Sequence, residues 1–514
     1  MLNISKYVLI FFITLLLSCN EEKINVDILI ENGIVYDGIS KTSNNNSIGV
    51  KGDKIVYFGN EADVDLIASK IIDAEGLIVA PGFIDPHTHA DRDLINPETS
   101  HNKPFLFQGI TTVVIGNDGS SYFPSSKYIK KYEEHGIGTN VALLVGQGTI
   151  RKLMMGRVDR KATNDEIFKM KKLVQSEMDA GAIGISTGLY YSPGSYTPTE
   201  EIIELSKVVS QNDGIYDSHI RSESSGLISA IKEAIKIGEK AEISVHISHI
   251  KCLGTNAWNQ SDSIIKIVES AQKKGIKVTA NQYPYNASAT GLQAAAIPRW
   301  AESGGKDSLF IRYNSSELKE RILKETKANI ISRGGPEKLL IVKSPNDEFV
   351  GKNLLEISKQ MELEPEVATF KIIEKGYVRV VSFNMIEYDI KNFMKQGWVV
   401  TGSDGNTGHP RKYGSFPRKF HKYVKQENVM NTANFINGST SKTAAILGIE
   451  KRGQIKENFF ADLIIFNPET FSDVADYKDA FQYSKGLEYS IINGKISVEK
   501  GTFTNQHNGV VLKK

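Results

Sequence analysis

The stretch from Gly82 to Asp93, GFIDPHTHADRD, closes an apolar run and sets His87 and His89 two residues apart. Side chains of an extended chain alternate between faces, so both imidazoles point the same way. Two neutral imidazoles converging from one strand end make half of a site for zinc or another first-row metal. A surface turn with two incidental histidines is the plainer alternative, and the rest of the chain decides between them.

Outward from this stretch, short apolar runs alternate with amphipathic helical patterns. GFIDPHTH, TTVVIGND, NVALLVGQG, GAIGISTG, GIYDSHIR, VHISHIK, KVTANQYPY and, much later, WVVTGSD are eight candidate strands. Segments such as NDEIFKMKKLVQSEMDAG and GLISAIKEAIKIGEKA separate most of them. Eight such units describe an α/β fold, a (β/α)8 barrel, whose active site sits at the C-terminal ends of the strands. The gap between the seventh and eighth runs, from about 293 to 375, reads as helices on an inserted excursion. The flanks differ. Residues 26–78 and the end of the chain (ADLIIFN, EYSIINGKISVEKG, VVLKK) are short strands with turn punctuation, able to pair into one small sandwich or to stand as separate caps.

The chemistry clusters where a barrel would gather it. His87 and His89 end the first run, His219 the fifth, His249 the sixth and Asp404 the eighth. Alternation groups His249 with Val245 and Ile247 and turns His246 away, so His246 is expected to be packed or helix-facing. His101, His135, His421 and His507 lie in helical or loop contexts and are left out. Four imidazoles and a carboxylate at one barrel mouth are unfavourable to bury without a cation. With a divalent metal the imidazoles bind as neutral ligands and the carboxylate can take a proton from water.

Composition narrows the class. At 514 residues the chain exceeds one simple core. Its 40% hydrophobic and 24% charged content is that of an ordinary globular protein. A net charge of +2 and no basic block interleaved with aromatics argue against a nucleic-acid partner. The N-terminus is distinctive: one Lys, an apolar run from Tyr7 to Leu17, then Ser18 and Cys19. That run is too short for a membrane span, which takes about 20 residues, and fits a signal-peptide core. Leu-Leu-Ser-Cys resembles a bacterial lipobox, so residues 1–19 are expected to be a lipoprotein signal, with Cys19 acylated and the protein held on a membrane of the cell envelope. The only other cysteine, Cys252, would then have no intramolecular partner.

Further segments make the pattern specific: GITTVVIGNDG, GAIGISTGLYYSPGSY, DSHIRSES, ISHIKCLG, QYPYNASATGL, VVTGSDG, HPRKYGSFPR and RGQIKENFFADLIIFNPET. With APGFIDPHTHAD they resemble, in order and from about 24 to 500, the D-aminoacylase (N-acyl-D-amino-acid deacylase) family of the amidohydrolase superfamily. The resemblance implies a barrel over 81–445, a β-sandwich from 24–80 and 446–514, and an insertion over the barrel mouth. It implies one or two divalent ions, zinc first, with His87 and His89 on one metal position and His219 and His249 on the other. Asp404 becomes the catalytic acid/base. Arg411, Lys251 and Tyr191 match positions that hold the substrate, with Tyr283 a weaker candidate. The implied reaction is cleavage of an N-acyl-D-amino acid.

Two departures stand out. Where the family carries a metal-binding Cys after the second strand, this chain has Asp118, read either as a turn residue, since Asp-Gly favours turns, or as a bridging carboxylate, harder than thiolate. Gln147 stands where the family more often has His. Two rival readings keep the same residues: a hydrolase of Xaa-D-amino-acid dipeptides or cyclic amides, and a non-catalytic binding lipoprotein, which metal content would distinguish.

Overall fold

The computed structural model describes residues 23–60 and 64–514; Cys19 and the apolar run before it lie outside them. Eight parallel strands form one continuous sheet in sequence order. They are β1 (Phe83–Asp85), β2 (Ile110–Ile115), β3 (Asn140–Gly146), β4 (Gly184–Gly188), β5 (Ile215–His219), β6 (Ser244–Ile247), β7 (Val278–Gln282) and β8 (Val399–Thr401). Each corresponds to one of the eight runs read from the sequence. The helix layer follows from periodicity. In Leu227–Ala241 the buried positions Leu227, Ala230, Ile231, Ala234, Ile237, Gly238 and Ala241 form one stripe, packed in the same core as Val245 and Ile247 of β6. Asn164–Asp179 begins with a reciprocal capping box between Thr163 and Glu166.

The barrel closes just beyond its first and last strands. Thr88 and Gly405 form a parallel bridge, the Asp404 amide donates to the His87 carbonyl at 2.9 Å and the His89 amide donates to the Gly405 carbonyl at 3.1 Å. The seam that completes the barrel therefore carries the His-Thr-His motif and Asp404 on adjacent backbones.

Both termini build one sandwich. One sheet comprises Lys23–Glu31, Ser47–Lys51, Lys54–Gly59 and Asp65–Asp73; the other joins Ile34–Val35 and Ile78–Pro81 to Leu463–Phe466, Leu487–Ile492, Lys495–Glu499 and Thr502–Phe503. Ile28, Ile48, Val50, Leu463, Ile465 and Ile491 fill the space between them. Phe466, on the other face of its strand, packs with Phe83, Phe416 and Phe420 against the barrel. One piece departs from expectation: Val511–Leu512 leaves the sandwich and pairs in parallel with Val141–Ala142 of β3. Helix Ser441–Leu447 also runs across the expected boundary at 445–446.

The excursion between β7 and β8 is wider than 293–375 and is not purely helical. Ser288–Gly291, Arg379–Ser382 and Leu339–Lys343 form a three-stranded antiparallel sheet with Arg379–Ser382 in the middle. Helices Lys319–Ser332 and Pro365–Glu374 share its apolar core, which includes Ile330, Ile341, Phe370 and Val380. Among the described residues no helix is long and apolar enough to cross a membrane.

Candidate metal centre and substrate cavity

β5 ends on His219, and the other cluster residues sit just past their strands: His87 and His89 after β1, Asp118 after β2, His249 after β6, Asp404 after β8. Three of them have left-handed backbones, with φ of 53° at Asp118, 36° at His249 and 48° at Asp404. Such angles are uncommon outside glycine and raise the backbone energy unless the surroundings fix them. The turn at His249 corrects the expectation from alternation. Val245 and Ile247 face the helices, and the bend at His249 takes its imidazole to the barrel mouth instead. His246 is not helix-facing either. Its ring nitrogens lie 2.8 Å from Thr279 Oγ1 and 3.0 Å from Asn281 Nδ2, so it is a satisfied packed residue outside the cluster.

Asp118 is at the centre. Its Oδ1 lies 3.4 Å from His87 Nε2, 3.5 Å from His219 Nδ1 and 3.3 Å from His249 Nε2, and its Oδ2 lies 3.3 Å from His89 Nε2. Asp404 Oδ1 is 3.2 Å from His89 Nε2 and 4.0 Å from His87 Nε2. Two donor groups result, His87–His89–Asp118–Asp404 and Asp118–His219–His249, sharing Asp118. Donors around a tetrahedral ion at about 2.0–2.1 Å stand roughly 3.3–3.4 Å apart, close to most of these separations. His87 Nε2, which faces Asp118, is buried without a hydrogen-bond partner, a deficit that a cation held there relieves. The residues fit one or two divalent ions. Asp118 has the backbone of a turn residue, with φ of 53°, and it also faces all four imidazoles, the position a bridging carboxylate would take.

Electrostatics divide the roles. Burial alone would raise the Asp404 carboxyl, but Arg411 and the histidines around it hold it well below the usual carboxylate range. Arg411 Nη1 contacts Asp404 Oδ2 at 2.9 Å. Burial likewise opposes the charged form of His89, yet its contacts to Asp118 and Asp404 push it up to about 10, while burial drives His87 down to about 4.

Every metal and substrate candidate except His87, which is fully buried beneath them, lines one cavity of about 740 Å³. Lys251 is already engaged: its Nζ lies 2.5 Å from Glu223 Oε1 and 2.8 Å from His249 Nδ1. Tyr283 is the freer group, its hydroxyl unpartnered and its ring 4.6 Å from the Arg411 guanidinium. The Tyr191 ring packs tilted against His219, centroids 4.8 Å apart, and its hydroxyl accepts a hydrogen bond from Thr290 Oγ1 at 3.4 Å. Gln147 lies away from the cluster, on Thr197 and Glu201.

Sequence reasoning missed three carboxylates. Glu223 sits 3.0 Å from His249 Nδ1, four residues after His219. Asp217 approaches His87 Nδ1 at 3.9 Å. Asp85 accepts from the His87 and Ser403 amides at 3.2 and 3.0 Å. Burial pushes Asp85 and Asp217 up to about 7. The signal was present, since D-P-H and D-S-H place each Asp two residues before a cluster histidine and on its face.

Comparison with known proteins agrees with this geometry. Residues 70–201 match the sequence model of the Amidohydrolase family. A D-aminoacylase of Alcaligenes xylosoxydans xylosoxydans is 30% identical over 95% of this chain and 97% of its own length. A solved D-aminoacylase with a binuclear metal centre is 29% identical, with a TM-score of 0.83 over 95% of this chain and 100% of its own. The N-acyl-D-glutamate deacylase of Bordetella bronchiseptica, solved with zinc and a phosphonate inhibitor, is 26% identical, with a TM-score of 0.82 over the same shares. The chain belongs to the D-aminoacylase family of the amidohydrolases.

Proposed function

We propose that this chain is a zinc-dependent hydrolase that splits N-acyl-D-amino acids into a carboxylate and a D-amino acid. The observation that carries the reading is Asp118 held among four imidazoles beside Asp404, opening on the cavity that Arg411 and Tyr283 line. The choice of the D-form rests on the relatives, whose names specify D-amino-acid substrates.

His87, His89, Asp118, His219 and His249 would hold the metal, which when bound supplies Lewis-acid polarisation of the scissile carbonyl and a lowered pKa for water. Asp404 carries the proton. Arg411 fixes its Oδ2, leaving Oδ1 to accept a proton from the attacking water and return it to the leaving nitrogen as the C–N bond breaks. Arg411 also keeps Asp404 ionised, the state a proton acceptor needs. Arg411 Nε and the Tyr283 hydroxyl are unpartnered donors suited to the α-carboxylate beside the amide. Amine release from paired N-acetyl-D- and N-acetyl-L-amino acids tests the reading. A clear D-preference is expected; equal rates for the two hands, or none for either, would refute it.

The envelope location rests on the N-terminal sequence alone. Acylation of Cys19 would bury lipid in the bilayer without a membrane-spanning helix. Partitioning of the protein into a detergent phase should vanish in Cys19→Ser, and equal partitioning of the two forms argues for a different anchor or none.

A further inference from the structure

The cavity's charges are unevenly matched. Arg411 pairs with Asp404, Lys251 with Glu223 at 2.5 Å, and Arg299 with Glu302 at 2.9 Å. Two more guanidiniums line the insertion side, Arg333 and Arg379, only 5% and 7% exposed. Neither has a carboxylate within 4.0 Å among the described residues. A buried cation without a counter-charge is strongly disfavoured.

The two differ in one respect. Each nitrogen of Arg333 has a neutral acceptor: Nε donates to the Ala295 carbonyl at 3.0 Å, Nη2 to the Tyr190 hydroxyl at 3.0 Å and Nη1 to Ser382 Oγ at 3.4 Å. The same is not true of Arg379. Its contacts to the Tyr377 hydroxyl and the Ala289 carbonyl are long, 3.4 and 3.5 Å, and its Nε has no partner. An arginine with a purely structural task would have closer acceptors. Its place in the fold also matters. Arg379 sits opposite Gly291 in the insertion sheet; the adjacent residue, Thr290, bonds Tyr191, and the Tyr191 ring packs tilted against His219. Arg379 thus lines the cavity a few contacts from the metal cluster, with its buried Nε unpartnered.

We propose that the insertion side of the cavity binds a second carboxylate of the substrate, gripped by Arg379 with the charge of Arg333 behind it. The proposal rests on the hydrolytic reading above and narrows it to substrates with two anionic ends, one beside the scissile amide and one reaching the insertion. The second carboxylate has two sources, the side chain of a D-aspartate or D-glutamate, or the far end of a dicarboxylic acyl group.

The test compares kcat/KM for isosteric pairs. N-acetyl-D-glutamate against N-acetyl-D-glutamine reads the side-chain source; N-succinyl-D-alanine against N-succinamoyl-D-alanine reads the acyl source. One pair should show roughly 10- to 100-fold preference for the charged member, as expected for a charge-assisted contact. Arg379→Gln should erase that preference while leaving the neutral substrates' kcat/KM in place, and Arg379→Lys should keep part of it. The proposal is overturned if neither pair shows a preference, or if the preference survives in folded Arg379→Gln. Should Arg379→Gln fail to fold, the wild-type pairs and Arg379→Lys decide. Turnover of N-acyl-D-amino acids without charge preference sinks this inference and leaves the hydrolytic reading standing. If no amide is cut, the hydrolytic reading fails, and calorimetric titration with N-acetyl-D-glutamate and N-acetyl-D-glutamine then decides the anion site: a binding preference lost in Arg379→Gln supports it, equal affinities overturn it.

Discussion

The two walls of the cavity are built differently. The metal side hangs from barrel strand ends, where the seam between Thr88 and Gly405 and the turns at Asp118, His249 and Asp404 set each donor. The insertion side is a separate sheet and helix unit with its own core, reached through Tyr190, Tyr191 and Thr290. On the first wall the unpartnered polar atoms suit a metal and the reacting groups; on the second, a substrate's periphery. The difference teaches a division of labour, with bond-breaking held by the barrel and choice of substrate by the excursion. Substitutions on the first wall should therefore lower every substrate's rate alike, and those on the second should change ratios between substrates.

The largest effect is expected at Asp404. Asp404→Asn keeps size and polarity but removes the proton acceptor, so turnover should fall by roughly 10²–10⁴-fold for every substrate, with metal still bound and the fold kept at a lowered thermal midpoint, because Arg411 loses its counter-charge. Near-normal turnover by a folded, metal-loaded variant would remove Asp404 from the mechanism. Next comes Asp118→Asn, which keeps the turn but weakens a donor shared by both groups. Losing an outer-sphere partner already lowers metal affinity about 10–100-fold, so a direct ligand should do at least that. Unchanged metal-to-protein ratio and activity would reduce Asp118 to a turn residue.

Arg411→Lys belongs to the same wall and should be milder. One bidentate, charge-assisted contact is worth about 1.5–3 kcal/mol, read in kcat/KM across all substrates with a free α-carboxylate. A loss confined to acidic substrates would instead place Arg411 with the specificity wall and break the comparison.

How much of this was legible depended on whether local pattern determined position. His87, His89, His219 and Asp404 could be read because strand ends in a (β/α)8 order project to one mouth. His249 does lie in the cluster, but a φ of 36°, not strand alternation, brings it there, and single-residue backbone turns leave no periodic trace. Asp85 and Asp217 were readable from their two-residue spacing to histidines, and Glu223 was hidden in a loop. The insertion was the least legible. Its strands are only four or five residues long, and nothing local to Arg379 tells that its guanidinium ends up buried without a counter-charge.

The smallest expected effect sits where the two walls touch. Tyr190 leaves the barrel after β4, lies with its ring 5.8 Å from His219, donates to the Ala294 carbonyl at 2.7 Å and accepts from Arg333 Nη2 at 3.0 Å. Tyr190→Phe keeps the ring beside the metal cluster and deletes only the hydroxyl that ties the barrel to the insertion. The deletion removes hydrogen bonds of ordinary strength, about 0.5–1.5 kcal/mol each, and frees Arg333 to shift. If the walls are separable, KM for the preferred substrate should rise roughly 2- to 10-fold while kcat stays within about twofold, because the groups that move the proton are untouched. Steady-state kinetics on one charged and one neutral substrate reads both quantities. A drop in kcat of a hundredfold on both would mean that the excursion positions the reacting groups through Tyr190, and the division between the walls would have to be abandoned.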